Sequence, residues 1–302
     1  MVPLGIVTFH LVYRHLPADI RAAKTDRGGF DAIGTLLLAL SLAAYALAMT
    51  SGRGSFGPLN LTLLLVAAFG VGLFVLAEAR VESPLVRLTI FRDASLSASL
   101  AMNVLVATLV MATLVVGPFY LSRALGLNEA VVGIVMSIGP IISALSGVVA
   151  GRLVDHFGAP FMVNVGLVAM AAGSLALSVL PAMFGVAGYV AAIAILTPGY
   201  QLFQAANNTD VMMDIRPDQR GVISGMLSLS RNLGLVTGAS VMGAVFAFAS
   251  MTTDITTAHP EAIAGGMRIT FAVAAVLIVV ALGISAASRA LAPRPSLTRD
   301  AS

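Results

Sequence analysis

The residues that could do chemistry in this chain are few, and they stand where polar groups are least comfortable. Arg231 lies inside the apolar run 222–248, and Asn103 is a lone amide inside the run 96–121. Tyr200, Gln204, Asn207 and Asn208 fall at i, i+4, i+7 and i+8 at the end of a third apolar run, 185–206. That spacing puts them on one side of a helix. Catalytic company is missing. Cysteine is absent, and the four histidines (His10, His15, His156 and His259) are scattered without metal-ligand spacing. No Gly-rich loop ends in Gly-Lys-Ser/Thr and no His-Glu-x-x-His occurs, so neither an ATP-driven pump nor a zinc hydrolase has its machinery. No enzyme activity, cofactor or metal is expected. The chemistry that remains is recognition: amides and a phenol that exchange hydrogen bonds, and one cation that pairs with an anion.

Two readings of these residues stay open. Polar groups in hydrocarbon must be paired or face a cavity. The face on 200–208 therefore lines a substrate pathway, or Asn207 and Asn208 mark a helix end while Tyr200 and Gln204 join two helices. Asn103 is a pathway residue or an interhelical hydrogen bond. Arg231 is about 14 Å along its run at 1.5 Å per residue. It is either a translocation residue, the default for an intramembrane charge, or a structural partner whose long side chain snorkels outward.

The elements that position these groups follow from hydropathy. The chain has 302 residues, of which 58% are hydrophobic and 10% charged, against about 25% charged in soluble domains. Eight apolar runs follow one another: 30–49, 59–79, 96–121, 130–150, 161–180, 185–206, 222–248 and 266–287. A bilayer core of about 30 Å needs about 20 such residues as helix. The runs are continuous rather than alternating, which excludes a β-barrel. The expected fold class is an all-α membrane protein with eight transmembrane helices. Residues 1–13 are apolar but too few to cross, and resemble the end of a preceding span rather than a signal peptide.

Connectors alternate in charge. Thirteen of the seventeen basic residues fall in one set: 14–27, 80–92, Arg152, Arg216 with Arg220, and 289–299. Only Arg53, Arg123 and Arg268 fall in the other. The basic set belongs in the cytoplasm, together with both termini, in a bacterial inner or plasma membrane. The net charge of +3 and pI near 9.7 are thus explained by topology, and no nucleic-acid partner is implied. The partners expected are the lipid bilayer and a small-molecule substrate.

Glycine and proline punctuate the runs. Gly151, Arg152, Leu153, Asp155 and Gly158 form a Gly-x-Leu-x-Asp-x-x-Gly turn between the fourth and fifth runs. The glycines permit close helix approach, Asp155 can sit at a neighbouring helix N-terminus, and Arg152 can pair with phosphate or an acid; an ordinary polar turn is the alternative. Gly221, Gly225, Gly234 and Gly238 are expected to pack helices closely. Gly117-Pro118, Gly139-Pro140 and Pro198-Gly199 are expected kinks. Fourteen methionines suit a pocket for varied apolar substrates or plain packing.

The turn motif resembles the cytoplasmic-loop signature of the major facilitator superfamily. The stretch 198–238, with Gly221, Ser224, Gly225, Arg231 and Gly234, is similar to the late helices of that family's fourteen-span drug/proton antiporters. Phe30-Asp31-x-x-Gly34 after a basic loop is similar to their sixth-to-seventh span junction. The resemblance implies four regions. Residues 1–29 are a span remnant and basic loop, and 30–94 two extra linker spans with a cytoplasmic loop. Residues 95–287 are a six-helix C-terminal bundle, and 288–302 a cytoplasmic tail. It further implies proton-coupled efflux of drugs or small hydrophobic metabolites by alternating access. The family's N-terminal half, which carries its proton-coupling acids, has no counterpart here, so a separate N-terminal half is a candidate partner. A non-transporting membrane scaffold, or one piece of a split transporter, is the alternative.

Overall fold

In lipid a backbone must satisfy its own hydrogen bonds, and continuous apolar sequence does so as helix. The computed structural model describes residues 2–15, 31–51, 57–81, 88–213, 215–217, 219–251 and 259–291, and every regular element among them is helical. They are α1 (Val2–His15), α2 (Ala32–Thr50), α3 (Pro58–Glu78), α4 (Ala94–Phe119), α5 (Glu129–Phe157), α6 (Ala159–Met213), α7 (Arg220–Ala249) and α8 (Pro260–Leu291). Seven of these, α2 to α8, are long and apolar enough to cross a membrane. The expected features at 16–30, Arg53, Arg87 and 292–302 lie outside the described residues.

The fifty-five residues of α6 are two antiparallel arms. Its dihedrals are helical except at Gly185, with φ 56° and ψ −128°. Around that point the chain doubles back. A Cβ on Gly173 would stand 2.7 Å from Leu196 Cα, and one on Gly199 would stand 3.0 Å from Met170 N. Each arm is about 40 Å long at 1.5 Å per residue, enough to cross a bilayer core. Seven helices thus supply eight membrane-length arms.

The interior gathers around α4, which packs along α7 and α8, while α5 packs on α6 and α6 on α8. Val106, Leu109 and Val116 of α4 meet Leu167, Met170 and Phe203 of α6, Met242 and Phe246 of α7, and Phe271 and Ile278 of α8 in one buried cluster. In α4, 61% of the apolar stretch is buried inside the molecule, against 6% in α5. α5 therefore turns most of its apolar surface outward, with Ile134, Ile141 and Leu145 exposed.

α2 and α3 form a separate hairpin that touches α7. Asp31 caps α2, its Oδ1 accepting from Gly34 N at 2.8 Å. Asn60 Nδ2 donates to Ala48 O at 2.6 Å and ties the hairpin shut. Tyr45 Oη meets Thr237 Oγ1 at 2.5 Å, and Ser240 Oγ donates to Met49 O, so two polar contacts seat the hairpin on α7.

Boundaries differ from the hydropathy reading at several helix ends, two of them in α5 and α4. The fourth run ends at Ala150, but α5 continues to Phe157, because hydropathy marks the edge of the oil and not the end of the helix. α4 does not stop at Leu121 in α-form. It passes into a π-helical turn, Tyr120–Ala124, with Leu125 N donating to Tyr120 O at 3.2 Å. Pro118, lying just before, removes one ladder donor and crowds the preceding turn. Tyr120 Oη donates to Pro181 O at 2.7 Å and fixes this end of α4 to α6.

Candidate functional site

Close approach of α4 and α7 makes the site possible. A Cβ on Gly238 would stand 2.7 Å from Thr108 O, and one on Gly234 would stand 2.7 Å from Ala107 Cβ. Only glycine lets the two backbones come so near. Thr108 Oγ1 donates to Val104 O at 2.9 Å and reaches Gly234 O at 3.1 Å across the gap. Five residues earlier on α4, the same proximity carries Asn103 up to α7. Its Nδ2 donates to Leu227 O at 2.9 Å and to Ser230 Oγ at 3.0 Å. Both amide hydrogens are thereby spent, which fixes the orientation of the group. The leftover atom, Oδ1, has no partner among the described residues.

A cavity of about 260 Å³ opens at this junction. Asn103 lines it from α4. Gln204, Asn208 and Met212 line it from the second arm of α6, and Ser224, Leu227, Ser228 and Arg231 from α7. Ser224, Ser228 and Arg231 are spaced i, i+4 and i+7, so they share one helix face. Arg231 is eleven residues past Arg220, about 16 Å along α7, a depth near mid-bilayer. Its guanidinium carbon lies 6.0 Å from the centre of the Tyr200 ring, within range of a cation–π contact. The Tyr200 hydroxyl lies beside Gln204 and Arg231.

The site is polar and under-satisfied. Gln204 Oε1 has no hydrogen-bond partner among the described residues, and neither does either amide atom of Asn207, which is fully buried. Each buried orphan costs about 1–3 kcal/mol. Such a cluster suits a place that exchanges hydrogen bonds with something that comes and goes. Among the described residues no group of His, Cys, Asp or Glu could hold a metal ion.

Of the residues singled out in the sequence, Asn103, Gln204, Asn208 and Arg231 come together on the cavity wall. Tyr200 stands against Arg231, and Asn207 is buried next to the lining residue Asn208. The turn motif is elsewhere. Gly151, Arg152, Leu153 and Asp155 belong to the last turns of α5 rather than to a loop, and Gly158 alone, at φ 87°, separates α5 from α6. Arg152 and Asp155 are exposed. Gly158 N donates to Val154 O at 2.9 Å and closes the last turn of α5. The expected glycine seam is also shorter than its spacing suggests. Gly221 and Gly225 face open space, with no described atom within 4 Å of an added Cβ, and close approach is confined to Gly234 and Gly238.

Ser224, Ser228 and Met212 were not expected in the lining. With Arg231 the serines repeat at helical spacing, but serine is so common in membrane helices that the spacing does not single them out.

Comparison with known proteins gives a consistent frame. The model of the Major Facilitator Superfamily matches residues 27–239. The uncharacterized transporter YebQ of Escherichia coli is 30% identical over 245 residues, which cover 80% of this chain and 52% of that protein. The riboflavin transporter RibZ of Clostridioides difficile is 25% identical, covering 82% of this chain and 53% of its own length. The quinolone resistance protein NorB of Staphylococcus aureus is 26% identical, covering 79% and 52%. The chain therefore spans about half the length of the curated relatives it matches. In fold it is similar to the crystal structure of a mutant of the nucleoside transporter NupG, with a TM-score of 0.54 at 16% identity over 84% of this chain and 65% of that one.

Proposed function

We propose that this chain, which belongs to the major facilitator superfamily, supplies one wall of a substrate pathway in a secondary transporter. It is a multi-pass membrane protein of a transporter family, not an enzyme. The finer reading has α4 to α8 as the six-span C-terminal bundle and α2–α3 as two linker spans. It makes the activity proton-coupled efflux of small amphipathic or hydrophobic molecules by alternating access, in which two bundles rock about a midplane site. A quinolone resistance protein and a riboflavin transporter among its relatives support transport of drug-sized solutes.

The observation that carries the reading is the cavity between α4, α6 and α7. It gathers Asn103, Gln204, Asn208 and Arg231 at a depth where polar groups are costly. A pathway needs a facing wall, so transport by this chain is expected to require a second bundle. The test is proton-gradient-driven efflux of a fluorescent dye from membrane vesicles. Vesicles would contain this chain alone, or this chain with the part of the Escherichia coli relative that it does not match. Efflux is expected only from the pair, and Ser228→Trp, which fills the cavity, is expected to abolish it. Gradient-driven efflux by the chain alone, or efflux from the pair that survives Ser228→Trp, would overturn the proposal.

A further inference from the structure

We infer that the cavity selects an organic anion: a carboxylate seated on Arg231, carried by a molecule that also exchanges a hydrogen bond with the serine hydroxyls beside it. The inference rests on the pathway reading and goes beyond it by naming a substrate class. Three observations combine.

The first is charge. Among the described residues, Arg231 is the only ionisable group on the cavity wall. Asp210 is two residues past Asn208, about 200° around the helix, and has a partner of its own. A cationic solute would therefore meet like charge at mid-bilayer depth with no lining carboxylate to offset it, whereas an anion would neutralise the arginine. Opposite charges a few ångströms apart in a medium drier than water attract strongly.

The second is the state of Arg231 itself. Its contact is with the π face of Tyr200 and that tyrosine's hydroxyl. An aromatic face takes up none of the guanidinium hydrogens, and the hydroxyl takes up at most one of five. The remaining fork has the geometry that binds a carboxylate through two parallel hydrogen bonds.

The third is polarity beside the cation. Ser224 and Ser228 are exposed on the helix face that carries Arg231 and line the same cavity, and as hydroxyls they can give or take a hydrogen bond from the ligand.

Binding to the whole chain in lipid nanodiscs tests this with one fluorophore in three charge states. Dansylglycine bears a carboxylate and a sulfonamide N–H, its methyl ester is neutral, and dansylcadaverine is a cation. Dansylglycine is expected to bind at least tenfold more tightly than either of the others. Arg231→Gln is expected to erase that preference while leaving the ester's affinity within twofold, and Arg231→Lys to restore part of it. The comparison among probes needs no variant, so a misfolded arginine mutant does not blunt it. Equal or tighter binding of the cation or the ester, displaced by Ser228→Trp, would overturn the anion assignment and leave the pathway reading standing. Probe signals that Ser228→Trp does not alter would overturn both. Unchanged dansylglycine binding in Arg231→Gln would overturn the assignment of the carboxylate to that residue.

Discussion

At the scale of single residues, Asn103 joins structure and recognition. Its amide hydrogens bind α4 to α7, and it lines the cavity, while its oxygen is left buried without a partner among the described residues. The two roles come apart by substitution. Asn103→Leu removes both interhelical bonds, but it also removes the orphaned oxygen. Ser230 Oγ keeps Leu227 O as an acceptor at 2.9 Å. The net loss should be about 1–2 kcal/mol, read as a lower midpoint for unfolding of the purified chain. Asn103→Asp keeps the shape but turns donors into acceptors facing Leu227 O, and places an uncompensated charge beside it. That loss should be larger, about 3–5 kcal/mol. If the two variants unfold alike, the described bonds do not hold the helices together. Arg231 and Gln204 were legible at this scale because charge and amide groups in apolar sequence are conspicuous. Ser224 and Ser228 were not, because a serine in a helix can satisfy itself on its own backbone and so carries no signal of need.

Among elements, the α4–α7 contact rests on two glycines rather than four. A side chain at Gly238 collides with Thr108 O and with Met111 Cβ, which lies 2.9 Å from the added carbon. Gly238→Val should cost about 1–3 kcal/mol or more through overpacking and should open the cavity by pushing α7 away. Gly225→Ala meets no described atom and should be neutral or stabilising by up to about 1 kcal/mol. Unfolding midpoints of the pair decide whether the seam is as short as the geometry has it. The hairpin of α6 gives a parallel case. Gly185 holds φ 56° and ψ −128°, outside the regions open to a β-branched residue. Gly185→Val should lose about 1–3 kcal/mol, again measurable as an unfolding shift. Element number was readable because lipid sets one length for every crossing. Element ends were not. α5 outruns its apolar stretch by seven residues, to Phe157, since a helix needs no oil to continue once begun. Helix partners were hidden as well, because glycine spacing states that close packing is available and not which glycines use it.

For the molecule as a whole, the even number of long arms and the charge of the connectors must agree on one orientation. α1, at fourteen residues, is about 21 Å long and too short to cross a core of about 30 Å. Eight arms remain, so the segments before α2 and after α8 lie on the same side. From the basic connectors we propose that this side is the cytoplasm. Translocating a connector rich in arginine opposes the insertion bias, so a reversed chain would carry thirteen basic residues outward instead of three. The chain has no cysteine, which makes each introduced thiol the only one present. Ser51→Cys, Glu129→Cys and Met251→Cys, all at exposed arm ends, should react with a membrane-impermeant maleimide in intact cells. Ser95→Cys and His156→Cys, exposed at the opposite ends, should react only after the membrane is opened. Labelling of His156→Cys in intact cells would reverse the orientation. Labelling of some members of each set would break the count of eight, and with it the placement of Arg231 near the middle of the bilayer.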